Sequence, residues 1–523
     1  MVNKIAKEPS FSLPTRRGFM VGAGAVGVGL AAAEFWPSHA LAQSGRPLTF
    51  GLSAYPPNLR PFDWSGGAAS TAKVLIHRGL LIFGTDGKIH PELAESWETP
   101  DPTTYIFKLR DNAVFHNGDS VTAEDVKYSL AQIVAPNSTA FFKENFQIID
   151  RVEATSAKVV KITLKQPTAS FAAMLTNAQV PIISARAGAA NPNQPVGCGP
   201  FMLQESEKGV SLTFKANKAF YKPGLPKSET VRFVVYADDN LRVSALQAGD
   251  VDIIEYVPFQ SMQSLSDNGD IAMQSALAAY MYLVFNTAFG PFKDARVRRA
   301  VAHAIKRDEV IKGAFLGYGQ PLDGLPIDPA SPFFDEATAH LWPYDPDRAK
   351  ALLKEAGFAG TPVTLLSTAT YGMHKDSAEV IQQNLAAIGM QVDLSLPEWG
   401  VRVAQGNQGK YQFAINGGAG FFGDPDELTP LIGSGPASYR RSFGFESKGG
   451  DALLAKARSE PDEAKRRATY AELSRLCAEE VPMCTFGYRT QAYALRRSVK
   501  GFQTLPGFLL ITSGAAFDTA YLV

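Results

Sequence analysis

The residues able to do chemistry are scattered rather than grouped. The seven histidines are His39, His77, His90, His116, His303, His340 and His374, and none form an H-x-x-x-H or Cys/His pair at the spacing a protein-bound zinc needs. The three cysteines are Cys198, Cys477 and Cys484. Cys198 stands in the turn Gly197-Cys-Gly-Pro200 with no histidine near it in sequence, so nothing there would stabilise a thiolate. A buried small hydrophobe is the reading that fits. The chain has no G-x-S-x-G, which removes the commonest nucleophile elbow. Two stretches match the dinucleotide fingerprint G-x-G-x-x-G. Gly22-Ala-Gly-Ala-Val-Gly27 follows a basic stretch and lacks a preceding strand. Gly418-Ala-Gly-Phe-Phe-Gly423 does follow a strand-like run, Tyr411–Asn416, but Asp424-Pro-Asp-Glu427 comes next. That acidity would repel a pyrophosphate where the motif requires a helix N-terminus to meet one. The stretch reads instead as a loop bordering a cleft. No metal, cofactor or catalytic residue is expected.

The elements that must hold such a loop are mixed. Strand periodicity marks Leu48–Ser53, Tyr105–Arg110, Lys158–Leu164, Val210–Phe214 and Val231–Tyr236, with helices over Ala69–Leu81, Ala123–Ile133 and Ala237–Ala248. The second half is more helical. Asp345 as N-cap, Pro346 at the first helical position and Gly357 past the end bracket one helix, and Ala378–Ile388 and Glu463–Ala478 supply two more. The order gives an α/β or α+β chain without internal repeats. Charge is balanced at 51 basic and 51 acidic residues, which argues against nucleic acid, since that partner needs clustered Lys and Arg. The cluster Arg296, Arg298, Arg299 reads as the solvated face of a helix whose core side is Val297, Val301 and Ile305.

The ends speak of export. Thr15-Arg-Arg-Gly-Phe-Met20 resembles the twin-arginine motif, Val21–Ala33 is an apolar run too short to span a bilayer, and Ala40-Leu-Ala42 offers a cleavage site. The expected mature protein begins at Gln43 and is periplasmic. Three cysteines in an oxidising compartment are no disulfide framework; Cys477 and Cys484 are the one sequence-close pair.

Phe115-His-Asn-Gly-Asp-Ser-Val-Thr-Ala-Glu-Asp-Val-Lys-Tyr-Ser-Leu130 is a turn running into a helix, with Thr122 and Asp125 at capping-box spacing. Together with Leu93-Ala-Glu-Ser-Trp97 and Tyr105-Ile-Phe-Lys-Leu-Arg110, it resembles the signature region of extracellular solute-binding proteins of the oligopeptide/dipeptide/nickel class. The resemblance continues in family order through Gly197-Cys-Gly-Pro-Phe201, Asn217–Tyr221, Ala245–Ile253, Phe285-Asn286 with Pro291–Ala300, and Tyr344–Gly357. It implies a two-lobed periplasmic-binding-protein fold with an extra domain inserted in the first lobe. The expected division is residues 43–80, 186–279 and 487–523 for domain I, 81–185 for the inserted domain II, and 280–486 for domain III. Two crossing segments, Tyr280–Asn286 and Met483–Tyr493, would act as hinge strands. The implied partners are a small-molecule ligand and an ABC permease of the inner membrane, with the receptor itself a monomer and not an enzyme. A twin-arginine-exported cofactor enzyme and a ligand-presenting protein for a chemosensor are the rival readings.

The resemblance also assigns a pocket. Trp399 matches an aromatic position that lines the family's ligand site, and Gly420, Phe421 and Phe422 lie on the loop in register with it. Tyr55 and Asn58, after the first strand, match the opposite wall. Tyr280 on the first crossing segment and Tyr371 before the Ala378 helix complete the candidate lining. Core packing for Trp399, and a surface turn for Tyr55–Asn58, are the alternatives. Peptide-binding members typically carry an Asp four residues before the loop's Pro, where this chain has Phe421, and a Trp three residues further upstream, where it has Gly418. The strand that can supply a carboxylate-binding Arg offers Thr368, Thr370 and Tyr371. The expected ligand therefore lacks a free cationic terminus, unless Glu398 or Asp424 replaces the missing carboxylate.

Overall fold

The computed structural model describes residues 45–63, 66–187 and 195–523; the Thr15–Met20 and Ala40–Ala42 readings lie outside them. Its spine is a mixed eleven-stranded sheet. From one edge ten strands run Val392–Ser395, Val363–Leu366, Phe413–Ala419, Ile271–Phe285, Cys484–Arg496, Ile253–Ile254, Leu48–Leu52, Thr230–Val235, Ser211–Ala216 and Phe201–Glu207, and the eleventh, Gly319–Pro321, pairs with Cys484–Arg496 off this path. Strands from the second half thus occupy one side and strands from the first half the other. Two long antiparallel strands, Ile271–Phe285 and Cys484–Arg496, join them. These contain the two expected crossing segments. Ala278 to Phe285 are all buried, the near-continuous apolar run of a strand covered on both faces. Their pairing slips between Leu277 and Ala279 and again between Met281 and Tyr282, and such bulges raise local twist.

A separate antiparallel sheet is built from Ala94–Asp101, Thr104–Leu109, Val159–Leu164 and Ile149–Ser156. The helix Ala123–Val134 packs on it, started as the sequence suggests: the Asp125 carboxylate accepts from the Thr122 amide at 2.8 Å and its hydroxyl at 2.7 Å. The Asp345 cap is likewise made, to the Arg348 amide at 2.8 Å, and Gly357 takes the left-handed conformation at φ 68°. Some expectations are corrected. The first helix stops at Ile76, because Leu81 is needed in the short strand Leu81–Phe83. The strand expected over Tyr411–Asn416 begins at Phe413 and runs on to Ala419, because Ile271–Phe285 pairs with it throughout. Arg298 is buried, not solvated. Its guanidinium donates to the carbonyls of Phe292, Lys293, Glu480 and Val481, a helix-to-loop clamp that periodicity alone cannot show. Cys198, Cys477 and Cys484 are buried free thiols, and burial pushes Cys198 up to about 12, away from thiolate chemistry. Among the described residues no helix is long and apolar enough to cross a membrane.

Candidate functional site

The Gly418–Gly423 loop begins inside the sheet. Tyr280 on the first long strand is the direct cross-strand partner of Gly418. A Cβ at Gly418 would lie 2.4 Å from the Tyr280 ring, so the tyrosine occupies the space a larger side chain there would need. Tyr280 is 3% exposed and packs at 5.6 Å on Phe508, and the Phe508 side chain also closes over Gly420. Beyond the strand the chain turns sharply. The Glu427 carboxylate accepts from the amides of Phe421 at 2.9 Å, Phe422 at 2.6 Å and Gly423 at 2.7 Å. A phosphate-binding loop would point such amides at a ligand; here an internal carboxylate holds them. Burial raises that carboxyl to about 7 against the lowering effect of the three amides. Asp424 caps the following turn through the Asp426 amide at 2.9 Å and forms a two-toothed ion pair with Arg466 at 2.7 and 3.0 Å.

Phe421 and Phe422 reach into the inserted region. Phe422 is 4% exposed within the core that includes Phe107, Phe142 and Phe171, and its ring lies 6.1 Å from Phe142. Phe421 stacks at 5.0 Å on Phe141, and the Arg440 guanidinium sits 5.2 and 5.5 Å from the two rings. Asn177 donates to the Phe421 carbonyl at 2.9 Å, and Ser170 to Asp426 at 2.8 Å. The loop is a clasp between the inserted region and the second half of the chain.

Trp399 opens the helix Trp399–Asn407. Its amide donates to the Thr370 hydroxyl at 3.1 Å, and that hydroxyl donates to Glu398 at 3.0 Å. Tyr371, His374 and Tyr439 surround its ring at 5.5, 5.8 and 6.0 Å. Trp399 is half-buried and Tyr371 is 42% exposed, so this cluster lies at a surface and not in the core. Beneath it, one helical turn on from Trp399 and so on the same face, is Arg402. Its guanidinium lies 5.5 Å from Trp399 and 5.4 Å from Tyr439. On the first-half side Tyr256, held at φ 49°, stands near Tyr371 and against Arg489 of the second long strand, whose guanidinium is 5.9 Å from the Tyr256 ring. His374 is buried between these cations. Desolvation first, then Arg402 and Arg489, bring its pKa down to about 3, so it is neutral at neutral pH.

Six of the eight expected lining residues therefore fall in three places. Trp399 and Tyr371 come together; Tyr280 lies with Gly420 under Phe508; Phe421 and Phe422 bind the inserted region. Tyr55 is drawn away to Ser206 at 2.7 Å, and the Asn58 carbonyl oxygen accepts from the Arg60 amide at 3.0 Å in a local turn. A cavity of about 260 Å³ lined by Phe333, His340, Tyr470 and Tyr488 includes none of the eight. Arg402, Arg489, Tyr256, His374 and Tyr439 escape sequence reading. The three-residue spacing of Trp399 and Arg402 was the available signal.

A mixed sheet joined across its middle by two long strands, with an extra antiparallel sheet in the first half, is the architecture of two-lobed solute-binding proteins. Residues 88–439 match bacterial extracellular solute-binding proteins, family 5 (middle), and the chain belongs to that family. The glutathione-binding protein GsiB of Pectobacterium atrosepticum is 29% identical over 469 residues, 86% of this chain and 90% of that one. The di/tripeptide-binding protein 2 of Pseudomonas aeruginosa is 29% identical over 508 residues, 90% and 95% of the two chains. The PBP AgaA from A. tumefaciens R10, solved with agropinic acid, is 37% identical, with a TM-score of 0.86 over 91% of this chain and 99% of that one. The protein is an extracellular solute-binding protein of that family.

Proposed function

We propose that this receptor carries a small solute without a free ammonium group, as a binder and not an enzyme, and that ordinary peptides are not its cargo. The observation that carries the reading is Phe421. It fills the position where peptide-binding members typically place an Asp, and the Arg440 cation lies 5.2 Å from its ring. An α-ammonium arriving there would be desolvated beside a cation. The possible substitutes are committed elsewhere. Asp424 is paired with Arg466, Glu427 is held by three amides, and Glu398 is exposed and accepts from Thr370. AgaA, solved with an acid and not a peptide, supports the same direction.

The remaining parts of the reading are the expected division into 43–80, 186–279 and 487–523, with 81–185 inserted and 280–486 as the second lobe; closure about the two long strands; monomeric docking on a permease; and periplasmic delivery by the twin-arginine route. Lys in place of Arg16 and Arg17 should hold the precursor in the cytoplasm. Ligand class is tested by calorimetry against a dipeptide mixture, glutathione, agropinic acid and a panel of N-acetylated and uncharged polar solutes. Solutes without a free ammonium should bind and unmodified dipeptides should not. Submicromolar binding of free dipeptides, lost on N-acetylation, would return the protein to the peptide-binding group.

A further inference from the structure

Elsewhere among the described residues, enclosed arginines meet acids or backbone carbonyls; Arg299, whose Nε lacks a hydrogen-bond partner, pairs with Glu479 at 2.7 Å. Arg78 lies between Glu92 and Asp518, and Arg466 holds Asp424. Arg307 donates to the backbone carbonyls of Ala302, Ile305, Leu322, Trp342 and Thr485. Arg402 breaks this pattern. It is 0% exposed, yet only Nη2 has partners, the Ile415 carbonyl and the Asn416 side-chain oxygen. Nε and Nη1 have none, and among the described residues no carboxylate lies within ion-pair distance. Arg489, partly exposed, comes close to the same pattern: Nη1 reaches Gln491 at 2.7 Å, Nε is unpartnered, and burial lowers its pKa, with only the Tyr256 hydroxyl, and no acid, opposing that. A buried charge left without a partner is strongly destabilising, and unsatisfied buried donors are rare enough to need a reason.

The two exceptions occur together, in the aromatic cluster at the junction of the two halves. Trp399 and Tyr439 flank the Arg402 guanidinium and are themselves partly exposed. His374 is kept neutral by burial first and then by the nearby Arg402 and Arg489 charges. Aromatic rings plus unspent cationic donors are complementary to an organic anion. They hold its apolar part by stacking, and charge-assisted hydrogen bonds fix its acidic end.

We infer that the solute this receptor takes is a carboxylate, its acidic group neutralised by Arg402 under Trp399 and Tyr439, with Arg489 as the second cationic contact. This rests on the reading above and sharpens it: the cargo not only lacks an ammonium group but carries an anion. Binding then supplies the partner that the apo protein lacks, so the ligand-bound state gains charge compensation unavailable without it.

The test is calorimetry of the mature protein with matched pairs of N-acetylated amino acids, each as free acid and as carboxamide. The acids should bind, and each carboxamide at least about 30-fold more weakly, the range for removing one partner of a buried charge pair. Arg402→Met should erase that preference while the protein remains folded by circular dichroism. Arg402→Lys should retain part of it, and Arg489→Met should reduce it independently should Arg402→Met fail to fold. Equal binding of acid and carboxamide would overturn the carboxylate assignment while leaving the ammonium-free reading intact, and so would the absence of binding by every acid at millimolar concentration. Tight binding of free dipeptides would overturn the reading beneath it.

Discussion

Two buried arginine sites in this protein solve the same electrostatic problem in opposite ways. Around Arg78 the chain closes its own charges. Glu92 forms an ion pair with the Arg78 guanidinium at 3.0 Å and accepts from the Tyr221 hydroxyl at 2.7 Å, while Lys222 and Asp518 complete the set. The partners come from widely separated segments, so the network ties the carboxyl-terminal region to the first half. Around Arg402 the chain supplies rings, a neutral imidazole, the Ile415 carbonyl and the Asn416 side-chain oxygen, and no acid. The first arrangement serves folding. The second leaves the charge for something that arrives later, which distinguishes a structural ion network from a binding site.

Substitution should separate the two most sharply. Arg78→Met strands Glu92 and Asp518 in the interior and should cost about 3–5 kcal/mol, read as a lowered denaturant midpoint. Arg402→Met strands no acid and should cost less than half of that by the same measurement. Equal losses at the two sites would erase the contrast. The aromatic wall comes next. Trp399→Ala should weaken solute binding by about 2 kcal/mol or more if the ring is an anchor, with a change in tryptophan fluorescence on binding in the unmutated protein. Unfolding of the variant with affinity spared in its folded fraction would make Trp399 a packing residue. Gly418→Ala tests the clasp at a similar or smaller scale. Its methyl would meet the Tyr280 ring, and overpacking of this kind costs about 1–3 kcal/mol; pairing it with Tyr280→Ala should recover most of the loss.

The smallest effect is one of pH. Glu427 is raised from 4.5 to about 7 by burial. The folded state therefore holds its proton more tightly than the unfolded chain. The stability this contributes is full below the unfolded value and is lost as pH rises through about 7. Glu427→Gln should flatten the stability profile across that window. An unchanged slope would mean that the three amide donors offset the burial and the carboxylate titrates normally.

Much of the scaffold was legible because its signals are local. The Thr122 cap, the Asp345–Gly357 bracket and the apolar run of Tyr280–Asn286 all depend on neighbours within a few residues. The Asp424 turn was legible for the same reason. The site was legible only in part. Trp399 and Tyr371 do meet, but Tyr55 and Asn58 are taken up by Ser206 and a local turn. Phe421 and Phe422 face the inserted region because Phe141 and Phe142 wait there, a pairing across roughly 280 positions of sequence that no pattern encodes. Arg402 and Arg489 were missed for a related reason. An arginine on a helix or strand reads as a solvated charge, and only the tertiary fold reveals that these two are enclosed without an acid. The same blindness made Arg298 look exposed, although there backbone carbonyls answer the charge.

The aromatic cluster around Arg402 is left cationic to receive an acid lacking an ammonium group. Native mass spectrometry of the mature protein and of Arg402→Met, followed by identification of any solute released on unfolding, tests it most directly. The account predicts that the unmutated protein releases a carboxylic acid without a primary amine and that Arg402→Met carries none. A peptide with a free amino terminus recovered from both proteins would contradict it.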